Sequence, residues 1–163
     1  MNSFQLRFFR CALLAISLAC FISTSRSALA QNAPSPSPQP FTASTASQLL
    51  AQITQGLIAR NQNQVLAAFD LTRMQDSALF RQQMISFIAH AENISVYFHL
   101  TQASSDTTKG QAEVDVQMEA DPRDSNNTGP VRKQARLRFA AEDTSSGWKF
   151  TDVQPRGFFS LQP

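Results

Sequence analysis

Tyr97 and His99 lie two residues apart in "NISVYFHLTQ". An imidazole that titrates near neutral pH, beside a phenol, can move a proton on a bound substrate if both groups reach it. On an extended strand a spacing of two puts both side chains on one face. These two are therefore the candidate catalytic residues. The plainer expectation is a partly buried aromatic pair making ordinary hydrogen bonds. His90, the other histidine, falls late in a helical stretch, where its cationic form suits the negative helix end and a surface position is expected. Asp70 and Asp76 have the chemistry to orient a histidine base, but nothing in the spacing brings either to His99. Two separated histidines do not make a zinc set. The sequence has no glycine-rich phosphate loop, serine elbow or calcium loop. No metal and no cofactor are expected.

The first thirty residues point to export. "MNSFQLRFFR" carries Arg7 and Arg10 and no acid, and "CALLAISLACFI" is an apolar run short for a membrane span. Ala28 and Ala30 in "STSRSALAQ" form a small-x-small site. Residues 1–30 thus read as a secretory signal peptide cut after Ala30, with periplasmic or extracellular delivery. The alternatives are an uncleaved anchor helix or a lipid on Cys20, although Ser17 stands where a lipid-attachment motif normally has an aliphatic residue. The membrane would be met only through this segment. Both cysteines, Cys11 and Cys20, lie in it, so the remainder has neither disulfides nor thiol chemistry. Removing Arg7, Arg10 and Arg26 from 14 basic residues leaves 11 against 12 acidic ones, turning +2 into −1. General attraction to polyanions loses its support. Residues 31–43, opening with "QNAPSPSPQP", read as a Pro/Ser-rich flexible spacer, and 44–163 as a single domain.

Within that domain the hydrophobic period changes once. "TASTASQLLAQITQGLIAR" predicts a first helix with Leu50, Ile53 and Leu57 on its buried stripe, widened by Leu49 and Ile58. Gly56 weakens it. "NQNQVLAAFDLTRM" predicts a second helix, capped by Asn61 with Gln64 as reciprocal partner. Asp76 is the expected N-cap of a third, "SALFRQQMISFIAHAE", whose Phe80, Met84, Phe87, Ile88 and Ala91 face the core. After Glu92 the period becomes two. Ile94, Val96, Phe98 and Leu100 oppose Ser95, Tyr97 and His99. "QAEVDVQMEA" alternates without error, and "VRKQARLRFA" and "WKFTDV" follow. Polar turns between the strands predict an antiparallel meander, and helices followed by strands give an α+β class.

The strand "VRKQARLRFA" raises the question of nucleic-acid binding. Arg132, Gln134, Arg136 and Arg138 share one face, and Val131, Lys133, Ala135, Leu137 and Phe139 share the other. One antiparallel register sets Glu119, Gln117, Asp115 and Glu113 opposite those four polar residues in order. The same register sets Val116 opposite Ala135 and Val114 opposite Leu137. The arginines then meet carboxylates, and a polyanion would find no unneutralised basic strip with exposed aromatics. Exposed pairs add little stability. Burial of the opposite face contributes more, at roughly 1.5–3 kcal/mol per fully buried large apolar side chain. No nucleic-acid partner is expected. Arginine also suits protein interfaces, so a homodimer contact on this face is an alternative. Phe158 and Phe159 in "WKFTDVQPRGFFSLQP" are expected to tuck over an open core or to strengthen an interface.

The helical "LLAQITQGLIARNQNQVLAAFD", the amphipathic "LFRQQMISFIAHAENISVYF" and the closing "WKFTDVQPRGFF" together resemble the NTF2-like superfamily, which includes SnoaL-like and ketosteroid-isomerase-like proteins. The resemblance spans about residues 44 to 159. It implies three N-terminal helices packed on a curved antiparallel sheet that encloses a cone-shaped pocket. It implies a range of roles, from isomerases and dehydratases to ligand binders and assembly domains. Catalytic members place Asp, His or Tyr inside the cone, and Tyr97 or His99 resembles such a position. An early strand between the second and third helices, common in the family, is missing here, which weighs against a deep pocket and against catalysis. The favoured expectation is an exported non-catalytic domain that binds a small apolar ligand or an envelope protein. The alternatives are a small isomerase- or dehydratase-like enzyme using Tyr97 or His99, and a structural dimerisation module.

Overall fold

The computed structural model describes residues 39–123 and 129–161. The expected signal segment and residues 31–38 of the spacer lie outside the described residues, as do 124–128. Helix α1 spans Ala43–Ile58, α2 Gln62–Leu66 and α3 Ser77–His90. Strands β1 (Ala91–Asp106), β2 (Lys109–Pro122), β3 (Val131–Thr144) and β4 (Gly147–Gln154) follow, then a 3-10 turn over Arg156–Phe158. The four strands pair antiparallel in the order β1-β2-β3-β4, a meander that leaves the sheet unclosed. Register shifts in β1 between Glu92 and Ser95 and between Leu100 and Gln102, and in β3–β4 beside Ala140, bend it over the helices.

The helices begin and end for local reasons. The Thr42 hydroxyl accepts the Thr45 N–H at 3.2 Å and opens α1. Leu49, Leu50, Ile53 and Leu57 are buried as the period predicts, but Ile58, expected on the same stripe, is 56% exposed at the helix's last turn. Gly56 has a packing role. A Cβ there would stand 2.6 Å from Val65 Cγ2 and 2.8 Å from the Val65 nitrogen, so the bare glycine lets α2 sit against α1.

Helix α2 is far shorter than expected. Asn61 caps it, accepting the Gln64 N–H at 3.2 Å, but the Gln64 side chain turns to Gln55 instead of closing a reciprocal pair. The stretch after Leu66 leaves the helix because its backbone is needed elsewhere. Asp70 N–H donates to the Phe150 carbonyl at 2.8 Å, and Phe150 N–H donates to Ala68 at 3.0 Å. This isolated parallel bridge, Phe69 with Phe150, ties the stretch to the outer edge of β4. The Asp70 carboxylate then accepts both the N–H and the hydroxyl of Thr72, making a turn. Asp76 stands before α3 as expected, but with φ 54° and no capping hydrogen bond. Its carboxylate lies 3.7 Å from Arg156 instead.

The β2–β3 register is the expected one, residue for residue: Glu113 with Arg138, Asp115 with Arg136, Gln117 with Gln134, Glu119 with Arg132. The strands run further than the periodic stretches suggest, so the turns shrink to Thr107–Thr108 and Ser145–Ser146. The inner face joins the helices in one core. Its largest members, Phe80, Phe139, Phe150 and Phe159, are each at most 1% exposed. Phe158 and Phe159 fold back onto that core, and Gln83 holds the returning chain by donating to the carbonyls of Arg156 and Phe159. At the other end Phe41 packs against Trp148, with ring centroids 5.1 Å apart, and covers Gly110, where any side chain would strike the phenyl ring. Phe41, inside the segment expected as spacer, thus takes part in the packing, and Thr42 beside it caps α1.

Candidate binding face

Alternation along β1, β2 and β3 creates a second, outer face. Because Val96, Val114, Val116 and Leu137 turn toward the helices, Ser95, Tyr97 and His99 must turn away with the carboxylates and arginines. Cross-strand pairing then arranges this face in rows. Ser95 aligns with Glu119 and Arg132, Tyr97 with Gln117 and Gln134, and His99 with Asp115 and Arg136.

The charged rows are internally satisfied. Arg136 grips Asp115 with two bonds, at 2.8 and 3.3 Å. Arg132 does the same to Glu119 at 3.0 and 3.3 Å, and Arg138 donates to Glu113 at 3.0 Å. The hydrogen bond from Arg136 holds the Asp115 carboxyl below its ordinary range against the opposing desolvation. The charges of Arg136 and His99 add to the effect. Arg132 and Arg136 are correspondingly raised, first by the hydrogen bonds they make to Glu119 and Asp115.

Tyr97 is 64% exposed, an unusual position for a large ring and a departure from the partly buried pair expected from sequence. Its neighbours in the row, Gln117 and Gln134, are exposed too. A recess of about 470 Å3 opens along this row, bordered by Ser95, Glu119 and Arg132. A second, of about 320 Å3, lies on the other side of Tyr97 between β1 and Leu50, Ala51 and Thr54 of α1. Tyr97 therefore stands as a ridge between two open grooves on the sheet's free edge.

The remaining candidates do not converge on this row. His90 sits at the C-terminal turn of α3, its Nδ1–H donating to the Ser86 carbonyl at 2.8 Å. Asp70 is held below its ordinary value, first by the Thr72 hydroxyl. Neither Asp70 nor Asp76 contacts His99. Among the described residues no group of three or more His, Cys, Asp or Glu is placed to hold a metal ion. Lys133, the exception on the apolar face of β3, donates to the Ser160 hydroxyl at 3.0 Å, and burial pushes its pKa down.

The two glutamines were legible only as ladder partners. Their signal as exposed neighbours of Tyr97 is the extended register itself: once Val114 and Val116 must share a core with Val96, Tyr97 falls beside Gln117.

No protein-family model matches the chain, and no curated protein matches it. Solved structures do. A protein described as an aromatic ring hydroxylase from Novosphingobium aromaticivorans aligns at a TM-score of 0.56, covering 66% of this chain and 82% of that one at 16% identity. A ketosteroid isomerase-like protein from Erwinia carotovora atroseptica aligns at 0.54, covering 66% and 88% at 6% identity. An NTF2-like family protein from Streptomyces avermitilis, described as a dehydratase, aligns at 0.52, covering 66% and 89% at 8% identity. At such identities the likeness is one of fold, and the domain has the NTF2-like α+β cone architecture.

Proposed function

We propose that this chain is an exported, non-catalytic binding domain that meets its partner on the outer face of the sheet. The supporting observation is the contrast between a cone interior filled by Phe80, Phe139, Phe150 and Phe159 and a solvent-facing Tyr97. A pocket enzyme of this fold would need His99 or Tyr97 inside a cavity with a carboxylate in reach. Both face outward, and the carboxylate opposite His99, Asp115, is engaged by Arg136. A small apolar ligand in the cone would have to displace packed rings, at several kcal/mol each.

Amide and methyl NMR of the full chain with a mixed fragment library tests this. Shifts should cluster on Tyr97, Gln117 and Gln134. Shifts centred on the methyls of Val114, Leu137 and Met84 would move the site into the cone and sink the reading. Export rests on the N-terminal sequence. Mass spectrometry of the protein recovered outside the cytoplasm should give a chain beginning at Gln31. A diacylglycerol adduct on Cys20 would replace release with anchoring.

A second reading uses the same face for a homodimer. Acids run along β2 and arginines along β3, so a two-fold axis parallel to the strands would lay each row over its opposite in the second copy. Light scattering decides between a mass near 18.0 kDa less the signal and twice that value.

A further inference from the structure

We propose that the Tyr97–Gln117–Gln134 row is a binding strip for an uncharged pyranose oligosaccharide. This rests on the outer-face reading above and names the ligand class.

The row differs chemically from its neighbours. On both sides, carboxylates and guanidiniums are spent on each other in two-pronged pairs, Glu119 with Arg132 and Asp115 with Arg136. A charged ligand would meet groups whose charge is already balanced within these pairs. Between them the Tyr97 hydroxyl and the carboxamides of Gln117 and Gln134 make no hydrogen bond to the described residues. Each carboxamide carries two N–H donors and a carbonyl acceptor, and the phenol can donate and accept. These unspent groups are uncharged and directional. They suit a ligand that is itself dense in neutral donors and acceptors.

The ring supplies the other half. The negative π face of an exposed tyrosine attracts polarised C–H bonds, and the C–H face of a pyranose offers several at once. Tyrosine also presents a wide surface with few torsions to freeze. Three adjacent strands set the groups about 5 Å apart, so the strip is roughly 10 Å long, near the span of a disaccharide. The grooves on both sides of Tyr97 let a longer chain continue past it. The sheet fixes the spacing of the three side chains before the ligand arrives, which lowers part of the entropic cost of binding.

Tyr97 is the only tyrosine in the chain, so 3-fluorotyrosine labelling gives a single fluorine signal at the strip. The full labelled chain is titrated separately with chitotetraose, cellotetraose and maltotetraose. At least one should move the signal saturably, with a dissociation constant of about 0.1–10 mM. By calorimetry, Tyr97→Ala should abolish that binding, Gln117→Ala and Gln134→Ala should each weaken it about tenfold, and Tyr97→Phe should weaken it less than Tyr97→Ala. Raising the salt to about 1 M should leave it unchanged, as expected for a neutral ligand. No saturable response to any of the three sugars overturns the proposal, as does a signal that tracks protein concentration with a doubled mass. If fragments perturb the outer face while no sugar does, only the ligand class fails. If fragments perturb the core methyls, the outer-face reading fails with it.

Discussion

The inner and outer faces of β2 and β3 are built from alternate residues of the same two strands, yet they act on different quantities. The inner face carries Val114, Val116, Leu137 and Phe139, each at most 1% exposed. Burial on this side drives folding. The outer face carries paired charges that stay in water, where attraction is screened and small. What those charges do supply is alignment. A slip by one residue would put Arg136 into the core and Leu137 outside, so the two faces enforce one register together. A face that contributes so little to stability is free to carry recognition chemistry.

This contrast can be attacked in decreasing order of expected effect. Phe139→Ala empties space shared with Phe98 and Phe150. It should cost about 3–5 kcal/mol in urea unfolding, and a cost below about 1 kcal/mol would show that the inner face is not the source of stability. Gly110→Ala forces a methyl against the Phe41 ring. It should cost about 1–3 kcal/mol, and markedly less in a Phe41→Ala background, because the two sites share one contact. Equal costs in both backgrounds would disprove that contact.

Arg136→Gln, on the outer face, should leave the thermal midpoint almost unmoved at neutral pH. Its signature is a titration. Losing the guanidinium should let the Asp115 carboxyl climb back toward its ordinary value, as read by carbon NMR. Because the folded-state pKa of Asp115 is depressed, its contribution is complete above the unfolded value of about 3.9 and disappears as pH falls through the folded value. Any stability gap between wild type and Arg136→Gln should therefore exist above about pH 4 and close below it. A gap that widens in acid would contradict the assigned pair.

The parts of the fold legible in sequence were those where two independent patterns agreed. Charge alternation and apolar alternation both fitted one β2–β3 pairing, and that pairing is the one the strands adopt. The second helix misled because Val65, Leu66, Ala68 and Phe69 are all buried, so apolar spacing did not mark where the helix stops. The stop comes from Phe150, about eighty residues away, whose N–H and carbonyl engage Ala68 and Asp70. Asp76 kept its place before α3 but makes no capping bond, its backbone standing in the left-handed region where a capping residue is normally extended. For the outer face, composition drew attention to Tyr97 and His99. Whether they pointed in or out depended on β1 sharing its core side with β2, a tertiary fact that the β1 segment alone does not contain.

One contact at the start of the domain bears on mechanics. The Trp148 indole N–H donates to the Gln39 carbonyl at 2.7 Å, while Phe41 sits beside the same indole and over Gly110. Tension arriving through residue 39 would load the Phe41–Trp148 aromatic plug, at the tips of the β1–β2 and β3–β4 hairpins, before it reached the first turn of α1. Hairpins loaded at their tips peel open rung by rung, whereas strands drawn along their length resist as a block. Single-molecule pulling from the N-terminal side should therefore show the aromatic plug yielding first, at lower force than the sheet behind it. A single rupture involving the whole domain would mean the plug and the sheet share the load.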